Sequence, residues 1–151
     1  MKKLTRITAV AAAMLLAMAS LTACGSNDIH TVKTSSGVVI ATDDAIDTSD
    51  SDAKQKIESF LTVQNAQAYI AQSMGSHGTA DQSVQGNTWV IALKMNQKLT
   101  EAQKTEIKTN INNALPFSSS DMRSQSGVSN MVMVVAYLDS DGSVAAARVI
   151  K

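Results

Sequence analysis

The sequence predicts an α+β domain in which an antiparallel four-stranded sheet carries its helices on one face. Two observations lead to this prediction. Two strand–turn–strand patterns occur in the second half of the chain, and a helical pattern precedes each of them, which gives the order α-β-β-α-β-β. Because a single hairpin is marginally stable in water, the two hairpins are expected to join in one sheet.

Length and charge limit the classes of protein that the chain can represent. It has 151 residues, of which 44% are hydrophobic and 17% charged, with 13 basic against 13 acidic side chains. This length suits one small domain with an appendage. The balanced charge gives no basic patch of the kind that nucleic-acid binding requires, so no nucleic-acid partner is expected.

The N-terminus has the pattern of a secretory signal. Lys2, Lys3 and Arg6 form a positive segment, and residues 7–19 form an apolar run without a charge. A run of this length is too short to span a bilayer, which needs about 20 apolar residues. Residues 1–23 are therefore predicted to be a signal peptide that is removed from the mature protein.

The signal ends in Leu21-Thr22-Ala23-Cys24, which resembles the lipobox of bacterial lipoproteins. The resemblance implies cleavage between Ala23 and Cys24 and a diacylglyceryl group on the Cys24 thiol, the only cysteine of the chain. The lipid bilayer would then be a partner, and the protein would lie at the cell membrane facing outside the cytoplasm. The alternative is an ordinary signal peptide, cut near Ala19 or Ala23, with Cys24 left as a free thiol.

Residues 24–52 are predicted to be a tether that begins with the lipidated cysteine. From residue 25 they contain six Asp, one Lys and no aromatic residue, and Ser and Thr fill much of the rest. Such a composition buries too little apolar surface to offset the entropy of ordering. The apolar residues 38–41 are an exception that suggests a short edge strand or a docking segment. The acidic run 47–52 does not fit a calcium loop, because Lys54 and Gln55 occupy positions that require an oxygen ligand and a glycine.

The domain is predicted to span 53–151, since all five aromatic residues lie there. Its first helix covers 53–74, with Ile57, Phe60 and Leu61 on the apolar face and a break expected near 62–65. Gly86-Asn87 then forms the turn of the first hairpin. Residues 88–95 show the period-two alternation of a β-strand clearly. The residues before the turn show this strand pattern only weakly.

The next helix begins with the clearest local signal in the domain. Thr100 is an N-cap residue, and Gln103 follows three residues later, as a capping box requires. Ile107 and Ile111 continue an apolar face, and Pro116 prevents simple continuation of the helix.

The second hairpin contains the pattern that is hardest to explain. Residues 131–138 are followed by the turn 139–142 and a returning strand over 143–150. Both faces of the 131–138 strand are apolar, although a half-buried strand should be polar on one face. Three interpretations follow: a central strand covered on both sides, including by the tether; a homodimer contact; or a partner-binding face made of Met131, Met133, Val135 and Tyr137.

The turn and cap motifs of the domain resemble a known family. Gly86-Asn87-Thr88, Leu99-Thr100-Glu101-Ala102-Gln103 and Tyr137-Leu138-Asp139-Ser140-Asp141-Gly142 together are similar to domain-of-unknown-function family 4854. The similarity covers roughly 57–151. It implies a small lipoprotein of Gram-positive bacteria, with a lipobox, a polar spacer and about 100 residues of mixed helix and strand. The family brings no known activity, so it implies no functional residues.

No residue pattern indicates catalysis, a cofactor or a metal. A hydrolase needs a nucleophile beside a base, but the two histidines lie in the tether (His30) and in a glycine-flanked loop (His77). Neither a zinc-ligand cluster nor a phosphate-binding glycine loop is present. The sequence therefore predicts a protein that is not an enzyme and has neither a cofactor nor a metal site.

Two functions remain open at this point. The first is a non-catalytic envelope lipoprotein whose sheet face or helix groove binds a protein, a peptide or a wall component. The second is a small-ligand module, or an inhibitor of an envelope enzyme, that uses the segment 75–86. A polar pocket near His77 and Trp89 would favour the second.

Overall fold

The computed structural model describes residues 30–42, 46–110 and 118–151. Within these ranges the chain forms three pairs of strands separated by two pairs of helices. The elements are β1 (His30–Lys33), β2 (Val39–Thr42), α1 (Ser51–Val63), α2 (Ala66–Met74), β3 (Gly78–Gln85), β4 (Thr88–Met95), α3 (Glu101–Asn110), α4 (Ser119–Ser126), β5 (Val132–Leu138) and β6 (Val144–Ile150).

The main sheet has the strand order β3-β4-β5-β6. The β3–β4 and β5–β6 pairs are antiparallel hairpins, but β4 and β5 run parallel, with Trp89 opposite Met133. Helices and a single main sheet are thus confirmed, whereas the fully antiparallel sheet is wrong. The reason lies in residues 96–131, which carry α3 and α4 and return the chain to the end of the sheet at which β4 began. A parallel pair needs such a crossover connection.

The predicted order α-β-β-α-β-β also needs correction. The first predicted helix is divided into α1 and α2 at Asn65, which has the left-handed φ of +51°. The second helical region likewise contains two helices, α3 and α4, and the hairpin β1–β2 precedes them all. The capping box is confirmed: the Thr100 amide donates to Gln103 Oε1 at 2.9 Å, and the Gln103 amide donates to Thr100 Oγ1 at 3.3 Å.

One face of the main sheet forms the larger apolar core with the helices. Side chains of β4 and β5 alternate toward this face, and α1, α2 and α4 cover them. The buried members are Ala53, Ile57, Leu61, Ala66, Ile70, Met74, Trp89, Ile91, Leu93, Met122, Val128, Met131, Met133 and Val135.

The hairpin β1–β2 covers the opposite face. Val32 and Ile40 are buried there against the other set of alternating side chains from β4 and β5, which are Val90, Ala92, Val134, Ala136 and Leu138. The structure therefore differs from the predicted tether over 30–37, whereas the exception expected for 38–41, a short edge strand or a docking segment, is confirmed by β2 and its buried Ile40. Polar residues dominate the composition of this segment, but its few apolar side chains are placed to face the sheet.

Several sequence predictions fall outside the described residues. They are the signal peptide over 1–23, the cleavage site between Ala23 and Cys24, the lipid on Cys24, and the helix-ending segment around Ile111 and Pro116. In the ranges that the structure describes, every helix is too short or too polar to cross a membrane.

Candidate functional site

The face predicted to bind a partner lies inside the helix-side core. The side chains of Met131 and Met133 are each 2% exposed, and Val135 is fully buried. Tyr137 is half-buried, and this burial raises the pKa of its phenol. An exposed recognition face at these residues is therefore wrong. Both faces of β5 are covered, because α1, α2 and α4 pack on one face and the β1–β2 hairpin packs on the other. Central strands of parallel pairs are typically apolar on both faces for this reason.

His77 and Trp89 do not form a shared pocket. The segment between them is not a loop but strand β3, whose register places Val84 opposite Trp89 and Gly78 opposite Met95. The two residues consequently lie at opposite ends of the β3–β4 hairpin. Trp89 is fully buried and donates its indole N–H to Gln82 Oε1 at 3.1 Å, whereas His77 is exposed in the turn that follows α2.

An open groove lies between the α1–α2 corner and β3. Its volume is about 520 Å³. Three neighbouring stretches of chain line it: Glu58, Leu61 and Thr62 from α1, Asn65, Ala66 and Gln67 from the corner, and Gln82, Ser83 and Val84 from β3. The groove combines buried apolar side chains at its base with amide and hydroxyl groups at its walls.

β3 is an edge strand of the sheet, and its free edge borders this groove. Gln85 and Thr88 flank a two-residue turn, so they form a hydrogen-bonded pair, and the pairing alternates from there. The backbone groups of Ala80, Gln82 and Val84 therefore point away from β4. This assignment agrees with the Gln67 side chain, whose Nε2 donates to the Ala80 carbonyl at 3.2 Å.

The two side-chain faces of β3 have separate roles. Ala80, Gln82 and Val84 face the helices: Ala80 and Val84 contact the larger core, and Gln82 bonds to Trp89. The alternate positions, Ser83 among them, face the β1–β2 hairpin. The outer backbone edge of β3 is accessible to another molecule, and the partly exposed side chains of Gln82 and Val84 line the groove beside it.

Few charges act on the groove. Among the nine described lining residues, only Glu58 has an acidic or basic side chain. Its carboxylate lies 3.8 Å from the Lys54 ammonium, and both side chains are about half exposed. An exposed pair of this kind contributes little. The groove therefore suits an uncharged chain that offers hydrogen-bond donors and acceptors.

The turn that ends β3 is fixed by a buried asparagine. Asn87 accepts a hydrogen bond from the Asp47 amide at 3.1 Å and donates one to the Asn130 carbonyl at 2.9 Å. Its own amide donates to the Asp47 carbonyl at 3.0 Å. A Cβ at Gly86 would lie 1.7 Å from that same carbonyl oxygen, so glycine is required for the close approach. Residues just before α1 are thereby joined to the first turn and to the start of β5.

A buried carboxylate lies at the other end of the sheet. Asp139 Oδ1 accepts the Leu99 amide at 2.7 Å, and Asp139 Oδ2 lies 3.7 Å from the Lys104 ammonium. A hydrogen bond to Glu101, together with these acidic neighbours, raises the pKa of Lys104. Asp139 also begins the predicted turn, in which the Gly142 amide donates to its carbonyl at 2.8 Å. These contacts hold the start of α3 against the turn between β5 and β6.

Metal-binding groups are not clustered in the described ranges, where no three or more His, Cys, Asp or Glu side chains come together to hold an ion. Sequence reasoning missed the groove itself. The available signals were the expected break near 62–65 and the polar residues of the weak strand before Gly86, but nothing in the local pattern indicated that these two segments meet.

The fold and the groove together define a small α+β domain with an accessible strand edge beside a polar groove. A family model described as "Domain of unknown function (DUF4854)" matches residues 48–148, and the chain belongs to this family. No curated protein and no solved structure matches the chain. The matched range begins after the β1–β2 hairpin, so the family domain as matched includes all four described helices, the groove and the main sheet except the last two residues of β6, but not the hairpin.

Proposed function

We propose that this protein is a membrane-anchored extracytoplasmic lipoprotein of the Gram-positive type. We further propose that it acts as a non-catalytic binding module, which takes up an extended peptide segment of an envelope protein along the outer edge of β3. The observation that supports this function best is an eight-residue edge strand whose outward backbone groups border an open groove. Addition of a peptide strand to a sheet edge is a recurring mode of recognition.

The pairing site is the part of the edge at Gln82 and Val84. The Ala80 carbonyl already accepts from Gln67 Nε2, and the Gln82 amide donates to Oδ1 of the neighbouring Asp81 at 2.9 Å. The Gln82 carbonyl and both backbone groups of Val84 remain for an incoming strand. Alternate side chains of that strand would enter the groove toward the apolar base at Leu61 and Ala66.

Such an interaction would be of modest strength. Each backbone hydrogen bond contributes about 0.5–1.5 kcal/mol net, and association itself costs several kcal/mol. Backbone pairing with a few side-chain contacts fits a reversible interaction rather than a permanent complex. Anchoring the module in a membrane would raise the effective concentration of a partner in the same membrane.

The lipid on Cys24 can be tested by a Cys24→Ser variant. Each buried methylene of an acyl chain contributes about 0.8 kcal/mol, so a diacyl group gives stable anchoring. The variant should lose lipid by mass spectrometry and leave the membrane fraction, either as unprocessed precursor or as protein in the medium. Correctly cleaved Cys24→Ser protein that stayed on the membrane would contradict the lipid anchor.

The peptide-binding edge can be tested by a Val84→Pro variant. Proline removes an outward amide and places its ring at the edge, but breaks no bond to β4, because that amide is not part of the hairpin ladder. Linear peptides selected from a random library against the lipoprotein in nanodiscs should bind the variant at least about tenfold more weakly, since a lost hydrogen bond and a steric block act together. Val84→Thr keeps the amide and the β-branched shape, and is expected to bind as wild type does.

The control measurements separate loss of binding from loss of fold. Val84→Pro should retain the wild-type circular dichroism spectrum and melt cooperatively. Equal peptide binding by the proline and wild-type proteins would contradict the strand-edge mechanism. If selection yields no peptide, and sedimentation shows a wild-type dimer that Val84→Pro dissociates, the occupant of the edge is a second copy of this chain instead.

A further inference from the structure

The β1–β2 hairpin is attached to the domain by a continuous apolar contact. Val32 is fully buried and Ile40 nearly so, although both lie in a segment that precedes the family-matched range. Beneath them, side chains of β4 and β5 such as Val90, Val134 and Ala136 have no exposed surface. The hairpin thus covers the side chains of β4 and β5 on this face of the main sheet.

Polar contacts fix the hairpin to the edge strand of that sheet. The Lys33 amide donates to Gln85 Oε1 at 3.1 Å, and the Lys33 carbonyl accepts from Ser83 Oγ at 3.0 Å. The Ser35 hydroxyl donates to the Asp81 carboxylate. The polar residues that made β3 difficult to predict as a strand are therefore the residues that hold the hairpin.

We propose that this docked hairpin is a strap that holds the domain close to the bilayer, so that the partner bound at β3 must itself be membrane-proximal. This inference rests on the proposed function: the position of the domain on the lipid at Cys24, and the position of the partner also on binding at β3. Residues 25–29 alone then separate the anchor from β1. At about 3.3–3.6 Å per residue, the six steps from Cys24 to His30 span at most about 22 Å.

Without docking, the same chain would give a much longer reach. The free segment would extend from Cys24 to Asp50, the N-cap residue of α1. Its 26 steps could span roughly 90 Å when extended, and about 25–30 Å on average as a flexible coil. The composition of residues 24–52 suggests this long tether. Because the hairpin is docked on the sheet, only residues 25–29 remain as the connection between the anchor and the domain.

Two insertions of the same flexible segment distinguish the strap from a long tether. A Gly/Ser segment of about 20 residues is inserted either between Ile29 and His30, before the hairpin, or between Asp43 and Asp44, after it. Both proteins carry Ser124→Cys, an exposed site on α4, labelled with a fluorescent donor. The purified lipoproteins are reconstituted into phosphatidylglycerol–phosphatidylcholine vesicles that contain an acceptor-labelled lipid, and energy transfer reports the distance of the domain from the bilayer.

With the strap in place, the insertion before the hairpin lowers energy transfer, while the insertion after it leaves transfer at the value of the protein without an insertion. Equal decreases for both insertions would overturn the proposal, because the hairpin would then be part of a free tether. Unchanged transfer in both would also overturn it, since the domain would be held at the membrane by its own surface. A failure of the lipid anchor is recognised separately, because the protein would lack the lipid mass and would not float with vesicles.

Discussion

Replacing Val135 by Lys is expected to lower the free energy of unfolding by more than about 4 kcal/mol, which is enough to unfold many domains of this size. Val135 has no exposed surface and lies on β5 beneath the helices. A lysine there must either place an ammonium group in an apolar core or lose its proton, and both outcomes cost free energy.

Val144→Lys is the matched control for this prediction. Val144 is also a strand valine, but it lies on β6 and is 42% exposed. Exposed substitutions usually change stability by no more than about 0.5 kcal/mol. Thermal melts followed by circular dichroism should therefore separate the two variants widely. Similar melting temperatures for both would mean that the helix-side face of β5 is exposed in solution and would restore the partner-binding interpretation of that face.

The apolar pattern of β5 illustrates what the sequence can and cannot predict. The lack of a polar face in 131–138 indicated that the strand needs an unusual explanation, and a cover on both sides was among the interpretations. The pattern could not decide between a covered face and a binding face, because burial depends on what other parts of the chain place above it. The parallel pairing of β4 with β5 likewise depends on the path of residues 96–131, which local patterns do not specify.

Local signals were reliable where the chemistry is itself local. The capping box at Thr100 and Gln103 and the backbone turn from Asp139 to Gly142 involve residues within four positions of one another. The turn at Gly86-Asn87 was also predicted from its own residues, although contacts of Asn87 with distant parts of the chain fix it further. The hairpin over 30–42 is the opposite case. Its attachment depends on contacts across about 50 residues, such as Lys33 with Gln85, and its composition alone resembles that of a spacer.

The candidate site was inaccessible to sequence reasoning for the same reason. The groove requires that Asn65 bend the chain between α1 and α2, so that this corner lies beside Gln82 and Val84 on a strand edge. Each feature is weak when taken separately: an asparagine in a helical pattern, and a polar strand. Their combination becomes a site only when the strand order leaves β3 at the edge of the sheet.

Replacing Trp89 by Ala is expected to cost about 3–5 kcal/mol of stability, the range found for removal of a large buried aromatic side chain. Trp89 is fully buried between the helices and the neighbouring strands, and it is the only tryptophan of the chain. Unfolding in urea must therefore be followed by far-UV circular dichroism rather than by intrinsic tryptophan fluorescence. A loss below about 1 kcal/mol, with an unchanged denaturant slope, would contradict the packing of β4 against the helices.

Trp89→Phe separates the packing of this residue from its contact with the site. Phenylalanine keeps most of the aromatic volume but loses the indole N–H that binds Gln82 Oε1. Because Gln82 is partly exposed, water can replace that donor, and the cost in stability should fall well below that of Trp89→Ala. The Gln82 side chain is then no longer held under the groove, so peptide binding at the β3 edge should weaken even though the domain stays folded. Peptide affinity equal to that of the wild type in a stable Trp89→Phe protein would show that the edge recognises its partner through the backbone alone.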